Sequence, residues 1–365
     1  MRTTKLAELY QSEGPFASVT IDVGHDSENA DHQHELRVRA AREELIEAGA
    51  DETVVEIVAE RLAESVHEAA PVARSVVATA EGVIFDQVIH ARVDMPVVDW
   101  GPLPDVTPWL EHQDAATPFV LAVVDHVGGD VAAYSSAVPE PADVASVGGD
   151  THHAHKVPTG GWSALRYQHV VENVWKENAE AVAEEIIHHV RRGYRLVLLA
   201  GDPQSRPTVL AALASSDAEV VELDTGTRAD DGGDEALQQA IREALFEHTV
   251  ARRLRLAHTL KERLGRGQSA ATGVADVADA FVRGQVETLL LDPSAAAHVT
   301  VDPGRYPGLV LGAAAPDEPV PAHQALVAAA ALTGAEVAIA RAGTLGGAPA
   351  AGLLRWDQTA EGTTA

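Results

Sequence analysis

Between His155 and Tyr167 the chain reads His-Lys-Val-Pro-Thr-Gly-Gly-Trp-Ser-Ala-Leu-Arg-Tyr. Two adjacent glycines, Gly160 and Gly161, permit backbone conformations and close approach that a Cβ forbids. Ser163 is a good helix N-cap, so the glycines form a tip from which a helix departs, and such a tip can enter a narrow space. Arg166 falls in the first helical turn beside free backbone N–H groups, an arrangement suited to phosphate. Trp162 has one N–H donor, no acceptor and a broad apolar face, which suits stacking on a base better than holding a water. Ser163 and Arg166 are the candidates for any catalytic role, while His155 and Lys156 add positive charge upstream. A tight turn and an internal ion pair are the plain structural alternatives for the glycines and for Arg166.

Other residues invite chemistry and satisfy it less well. His152, His153 and His155 are of a type that ligates zinc, but adjacent side chains on an extended loop point in different directions. Supplementary positive charge is the better reading, and no metal or cofactor is expected. Between His248 and Gln268 six basic residues (Arg252, Arg253, Arg255, Lys261, Arg263 and Arg266) face a single acid, Glu262, making this run a candidate contact for RNA or a protein partner. Gly265-Arg-Gly-Gln268 lacks adjacent glycines and a following Lys-Ser or Lys-Thr, so it is read as a turn and not as a P-loop. Asp125 and Asp130 are too few for two-metal nuclease chemistry and are read as strand-end and turn residues.

These candidates need a scaffold of several domains. A chain of 365 residues, 46% hydrophobic and 22% charged, exceeds one typical domain, and no apolar run reaches the ~18 residues of a membrane span. The absence of cysteine excludes disulfides and thiol chemistry. No signal peptide is recognisable at the N-terminus, so a cytoplasmic location is expected. A net charge of −28 opposes general nucleic-acid coating and leaves room for local phosphate contact.

The patterning predicts an N-terminal α/β unit over residues 1–95, with a strand at 16–22, a helix at 52–67 and strands at 74–79 and 83–91. Pro96, Pro102, Pro104 and Pro108 suggest a linker at 96–116. A central unit over 117–228 opens with a hairpin, 119–125 turning at Gly128-Gly129-Asp130 into 131–135, then a loop to Gly161, a helix over 163–192 and a buried strand at 195–201. A third unit, 229–356, alternates helices (235–263, 274–283, 321–333) with strands (286–292, 336–340, 352–356), as expected of an α/β sandwich. The tail 357–365 is expected to be disordered.

The motif from Gly160 to Tyr167 resembles the Gly-Gly-Gln-Ser-Ala-Leu-Arg-Phe of archaeal and eukaryotic class-I release factors, which begins a long helix after a basic loop. The likeness continues through the order of elements over about 117–356. The N-terminal unit looks like that of the bacterial, especially actinobacterial, branch of this Pelota and release-factor superfamily, which includes Balon-like ribosome hibernation factors and Vms/Ankzf-type peptidyl-tRNA hydrolases. The resemblance implies a three-domain α/β release-factor-like architecture, with an RNase H-like central domain and a C-terminal αβα sandwich. It also implies RNA contacts by His155, Lys156, Gly160, Gly161, Trp162, Ser163, Arg166 and Tyr167 in the ribosomal A site and peptidyl transferase centre, and a translational GTPase such as EF-Tu as a partner of the third domain. In the family the glutamine after the two glycines helps position the water that attacks the peptidyl ester. Trp162 stands there, so a non-catalytic, monomeric hibernation or rescue factor is expected. The alternatives are a peptidyl-tRNA hydrolase using Arg166 and Ser163, and a protein-interaction module without RNA contact.

Overall fold

The computed structural model describes residues 6–24, 29–64, 66, 68, 71–93, 95–125, 128–135, 141–148, 175–225, 233–313 and 316–356. The chain divides into two compact units, Met1–Asp114 with Arg253–Ala365, and Ala115–Arg252.

In the first unit, strand β1 (Phe16–Asp22) is followed by helices α1 (Ala30–Glu47) and α2 (Glu52–Ala63), then by strands β2 (Ala73–Thr79), β3 (Gly82–Ile89) and β4 (Val97–Gly101). The strands form an antiparallel sheet in the order β3-β2-β1-β4. Alternation along β1 sends Ala17, Val19 and Ile21 to one face, where they pack against Ala41 and Leu45 of α1 and Val54, Val58 and Leu62 of α2. The Asp51 carboxylate accepts the Thr53 N–H at 2.8 Å and so caps the start of α2. The opposite sheet face is also apolar, through Phe16, Ala73, Val77 and Ile89.

Residues 96–116, expected as a linker, carry β4 and the helix α3 (Thr107–Ala115). The prolines are compatible with both: Pro96 precedes the strand, Pro102 and Pro104 follow it, and Pro108 occupies the first helical turn, where its missing N–H costs no helical bond.

The second unit opens with strands β5 (Phe119–Asp125), β6 (Gly128–Tyr134) and β7 (Asp143–Gly148), continues through α4 (described from Trp175 to Arg191), β8 (Leu196–Gly201), α5 (Arg206–Leu213) and β9 (Glu219–Glu222), and enters the 33-residue helix α6 (Gly233–Gly265). Its sheet runs β7-β6-β5-β8-β9, with β5, β6 and β7 antiparallel and β8 and β9 parallel to β5. That order and the mixed polarity are those of an RNase H-like core. One sheet face meets Val182, Ile186 and Val190 of α4 and Val209 of α5. The other meets Ile241, Ala244 and Leu245 of α6. Burying each large aliphatic side chain contributes roughly 1.5–3 kcal/mol.

Two expectations for this unit need correction. Gly128 and Gly129 do not form the hairpin turn but belong to β6, with Gly128 paired to Asp125. A Cβ at Gly129 would lie 3.0 Å from side-chain atoms of both Val124 and Val182, so this glycine gives the sheet room for α4. The stretch expected to be a loop contains β7, and α5 and β9 were not foreseen. The tail from 357, and residues 163–174, which the sequence predicts to be helical, lie outside the described residues.

The chain then returns to the first unit with β10 (Ala270–Thr272), α7 (Val274–Val282), β11 (Val286–Leu291), the short α8 (Pro293–Ala296), β12 (Thr300–Val301), β13 (Val320–Pro321), α9 (Ala322–Thr333), β14 (Glu336–Ile339) and β15 (Ala350–Leu354). The main sheet has the order β10-β15-β11-β14. Leu289, Leu291 and Leu354 pack with Val277 and Phe281 of α7 and Leu326 of α9. Leu290, Ala351 and Leu353 pack with Leu256 and Leu260 of α6. This is an αβα sandwich.

Helix α9 is buried from Ala322 to Ala331, as an all-round apolar helix must be. Its cluster includes the second face of the N-terminal sheet, together with Leu6, Leu9 and Tyr10. The N-terminal and C-terminal segments therefore share a core. No helix among the described residues is long and apolar enough to cross a membrane.

Candidate functional site

The motif residues His155, Lys156, Gly160, Gly161, Trp162, Ser163, Arg166 and Tyr167, with His152 and His153, lie outside the described residues. What is described is the frame that flanks them in the chain. On one side is β7, hydrogen-bonded to β6 from Asp143 to Gly148. On the other is α4, whose Ala179, Val182, Ala183, Ile186 and Val190 are buried against the sheet. The four- and three-residue spacing of these side chains is the helical face read from the sequence, and it seats α4 on the sheet.

Where β5 and β8 end side by side, Gly201 adopts φ +107° and a Cβ there would fall 1.9 Å from the Val124 carbonyl oxygen; only glycine fits. Asp125 is buried and accepts the Gly128 N–H at 3.0 Å, a strand-end role. Asp130 accepts the Ser146 hydroxyl at 2.6 Å, and burial pushes its carboxyl up to about 6 against that hydrogen bond. Asp202 accepts the Ser205 hydroxyl at 2.7 Å, before α5. Each carboxylate is engaged in local structure, and among the described residues no three histidines or acids are grouped so as to hold a metal ion.

The six basic residues, five on α6 and Arg266 just after it, are not equivalent. Arg253 reaches Asp114, with Nη2 2.9 Å from a carboxylate whose side chain is 1% exposed. Arg263 donates to the main-chain oxygens of Ser269 and Leu354 at 3.3 and 2.9 Å. These two guanidinium groups hold the fold together. Arg252 is half-buried, whereas Arg255, Lys261 and Arg266 are exposed, with Arg266 Nη2 3.6 Å from Glu262. At 3.6 residues per turn Arg252 and Arg255 fall within about 60° of one another and Lys261 points to the far side, while Arg266 lies in the turn after the helix, so the run is not one basic face.

A buried polar group that the sequence did not reveal lies where α9 meets the N-terminal layer. His323 and Gln324 sit on a helix with no solvent-facing side in that stretch, so each needs an internal partner. His323 Nε2 is 3.2 Å from Asp105 Oδ2, and the Gln324 amide donates to Asp99 Oδ2 at 3.1 Å. Asp105 also accepts from the Thr107 N–H, while its own N–H donates to Ser18 Oγ. Burial raises the Asp105 carboxyl, but the His323 contact and the Thr107 donors outweigh it and leave a net lowering. Asp99 is pushed up to about 6, by burial first and then by the Asp105 charge. Separations of 218 and 225 residues explain why no local signal announced these pairs.

Residues 118–266 match the family model described as bacterial archaeo-eukaryotic release factor family 2. Over that span the chain is similar to bacterial release factors of the archaeo-eukaryotic type. The matched span covers nearly all of the second unit and the whole of α6, and includes the Gly160–Tyr167 motif. Two relatives from Mycobacterium tuberculosis, the uncharacterized proteins Rv2629 and MT2704, are each 28% identical over 309 residues, 84% of this chain and 82% of theirs. Among solved structures, Pelota of Archaeoglobus fulgidus is 12% identical, with 99% of this chain and 93% of that one covered and a TM-score of 0.34. A ribosome-bound archaeal Pelota is 15% identical, with coverages of 98% and 95% and a TM-score of 0.42. Dom34 of S. cerevisiae, a translation termination-like factor, is 10% identical, with 79% of each chain covered and a TM-score of 0.42.

Proposed function

We propose that this release-factor-like protein is a ribosome-binding factor of the hibernation or rescue type, which occupies the A site and directs the Gly160-Gly161-Trp162 tip towards the peptidyl transferase centre. The observation that carries this reading is the family match over 118–266, because the glycine pair, Ser163 and Arg166 of the family's motif all fall inside it. Gly160 and Gly161 supply the slender backbone, Trp162 stacks on a base, and His155, Lys156, Arg166 and Tyr167 contact RNA around it. An indole cannot accept a hydrogen bond from water, so the tip binds without the glutamine-dependent release reaction. The exposed Arg255 and Lys261 of α6, and Arg266 just after it, are left for RNA or a translational GTPase such as EF-Tu. The factor acts in the cytoplasm as a monomer.

Co-sedimentation with bacterial ribosomes, from growing and from starved cells, tests the proposal. Recovery with ribosomes, followed by the tip in the A site of the bound complex, is the expected result, and absence from ribosomes in both conditions refutes it. Incubation with peptidyl-tRNA on isolated large subunits should leave the ester intact. Cleavage that is lost in Arg166→Ala would instead establish a hydrolase.

A further inference from the structure

A cleft of about 280 Å³ opens beside the N-terminal sheet, lined by Ile21, Asp22, Arg37, Arg92, Val93 and Pro96. Its walls come from the end of β1, the middle of α1 and the segment between β3 and β4. Arg37 is held in place: Nη1 lies 3.1 Å from Asp22 Oδ1 and donates to the Asp22 carbonyl oxygen at 3.3 Å. Asp22 is itself fixed, because Oδ1 also accepts the Gly24 N–H at 3.0 Å. One guanidinium is thus oriented by a carboxylate that offsets its charge and engages it through Nη1. Arg92 is exposed and forms no hydrogen bond or ion pair among the described residues. Among the described residues the lining therefore carries one positive charge in excess, Arg37 and Arg92 against Asp22.

We propose that this cleft binds the phosphate group of a small organophosphate, with Arg37 as the pre-oriented fork, Arg92 as the closing one, and Ile21, Val93 and Pro96 as the wall for the carbon body. A planar guanidinium matches two phosphate oxygens at once. Small-ligand sites are clefts of roughly 300 Å³ and upward with an apolar lining and few polar groups, which suits a compact phosphomonoester at this size. Asp22 would repel the anion if it were free; tied to Arg37 and Gly24 it acts as a positioning residue for the guanidinium. The inference does not depend on the proposed ribosomal role.

The test is calorimetric titration of the full-length protein, at constant ionic strength, with inorganic phosphate, glycerol 3-phosphate and a short single-stranded RNA. Glycerol 3-phosphate should bind, more tightly than inorganic phosphate, and Arg92→Gln should weaken it by about tenfold, the equivalent of one charge-assisted hydrogen bond. Arg92→Lys should recover part of that loss, and both variants should melt at the wild-type temperature because the residue is exposed and unbonded. Three results would overturn the proposal: no binding of glycerol 3-phosphate, equal affinity in wild type and Arg92→Gln, or binding of the RNA without binding of the monoester.

Discussion

In the proposed function, Trp162 is the residue that sets what the tip can do. An amide in that position can donate to one partner and accept from another, which is what holding a nucleophilic water requires; an indole only donates. If the tip works by insertion, Trp162→Ala should weaken ribosome binding by about 1–3 kcal/mol, the typical cost of one lost base–aromatic stack, with no change in melting temperature. Paired measurements of affinity and melting on the variant separate the roles, since lower stability at unchanged affinity would make the side chain part of its own domain's core. Asp99 makes a second prediction, about pH. Its carboxyl titrates at about 6 when folded against roughly 3.9 in an unfolded chain, so between these values the folded state holds a proton that the unfolded state has released. That contribution to stability is fully present below the unfolded value and is lost as pH rises through about 6. Asp99→Asn keeps an acceptor for Gln324 and removes the charge. It should therefore be more stable than wild type at pH 7.5, by on the order of 2 kcal/mol, and the gap should close near pH 4 in denaturant titrations. A constant gap across that range would show that the charge is not what burial opposes.

At the scale of elements, α6 makes two different uses of arginine, and mutation should tell them apart. Arg253→Ala removes the guanidinium from a buried Asp114 carboxylate and should cost about 3 kcal/mol of stability. Arg255→Ala, on an exposed side chain, should change stability by less than about 0.5 kcal/mol. Chemical denaturation of both variants checks this, and equal effects would contradict the separation into fold-holding and free cations. The same helix shows where sequence was readable. Its span and basic run were legible from composition, but which arginine turns inward depended on Asp114, more than a hundred positions away. Strand β1 and the helical face of α4 were legible because period two and period 3.6 are local signals. Strands β7 and β9 were not, being short edge strands with few apolar residues, whose identity comes from hydrogen bonding to β6 and β8. The prolines between 96 and 116 read as breaks in sequence, yet they fall at strand and helix ends, the positions that regular structure tolerates. For the motif, the residue types themselves are the whole signal: the glycine pair, Ser163 and Arg166 sit within seven positions. The cleft of Asp22, Arg37 and Arg92 had none, because three separate elements bring it together.

For the whole molecule, the opposing facts are a net charge of −28 and a proposed partner made largely of phosphate. Long-range repulsion would slow the approach, so binding must rest on a few local cations whose contacts displace condensed counterions. Such contacts have a measurable signature: the logarithm of the affinity falls linearly with the logarithm of salt concentration, with a slope set by the number of phosphates neutralised. Ribosome binding should therefore weaken steeply between about 50 and 200 mM salt, a range over which multiple phosphate contacts lose orders of magnitude in affinity. Substituting one contacting cation should reduce the slope by about one, so Arg255→Ala, Lys261→Ala and Arg266→Ala can be ranked individually. Because Arg255 and Lys261 point in different directions on α6, at most one of these two should alter the slope if a single face of the helix meets RNA. A reduced slope for both would mean that RNA surrounds the helix. A salt-insensitive association would mean that protein surfaces make the contact, and would move α6 from the RNA to a GTPase or ribosomal-protein interface.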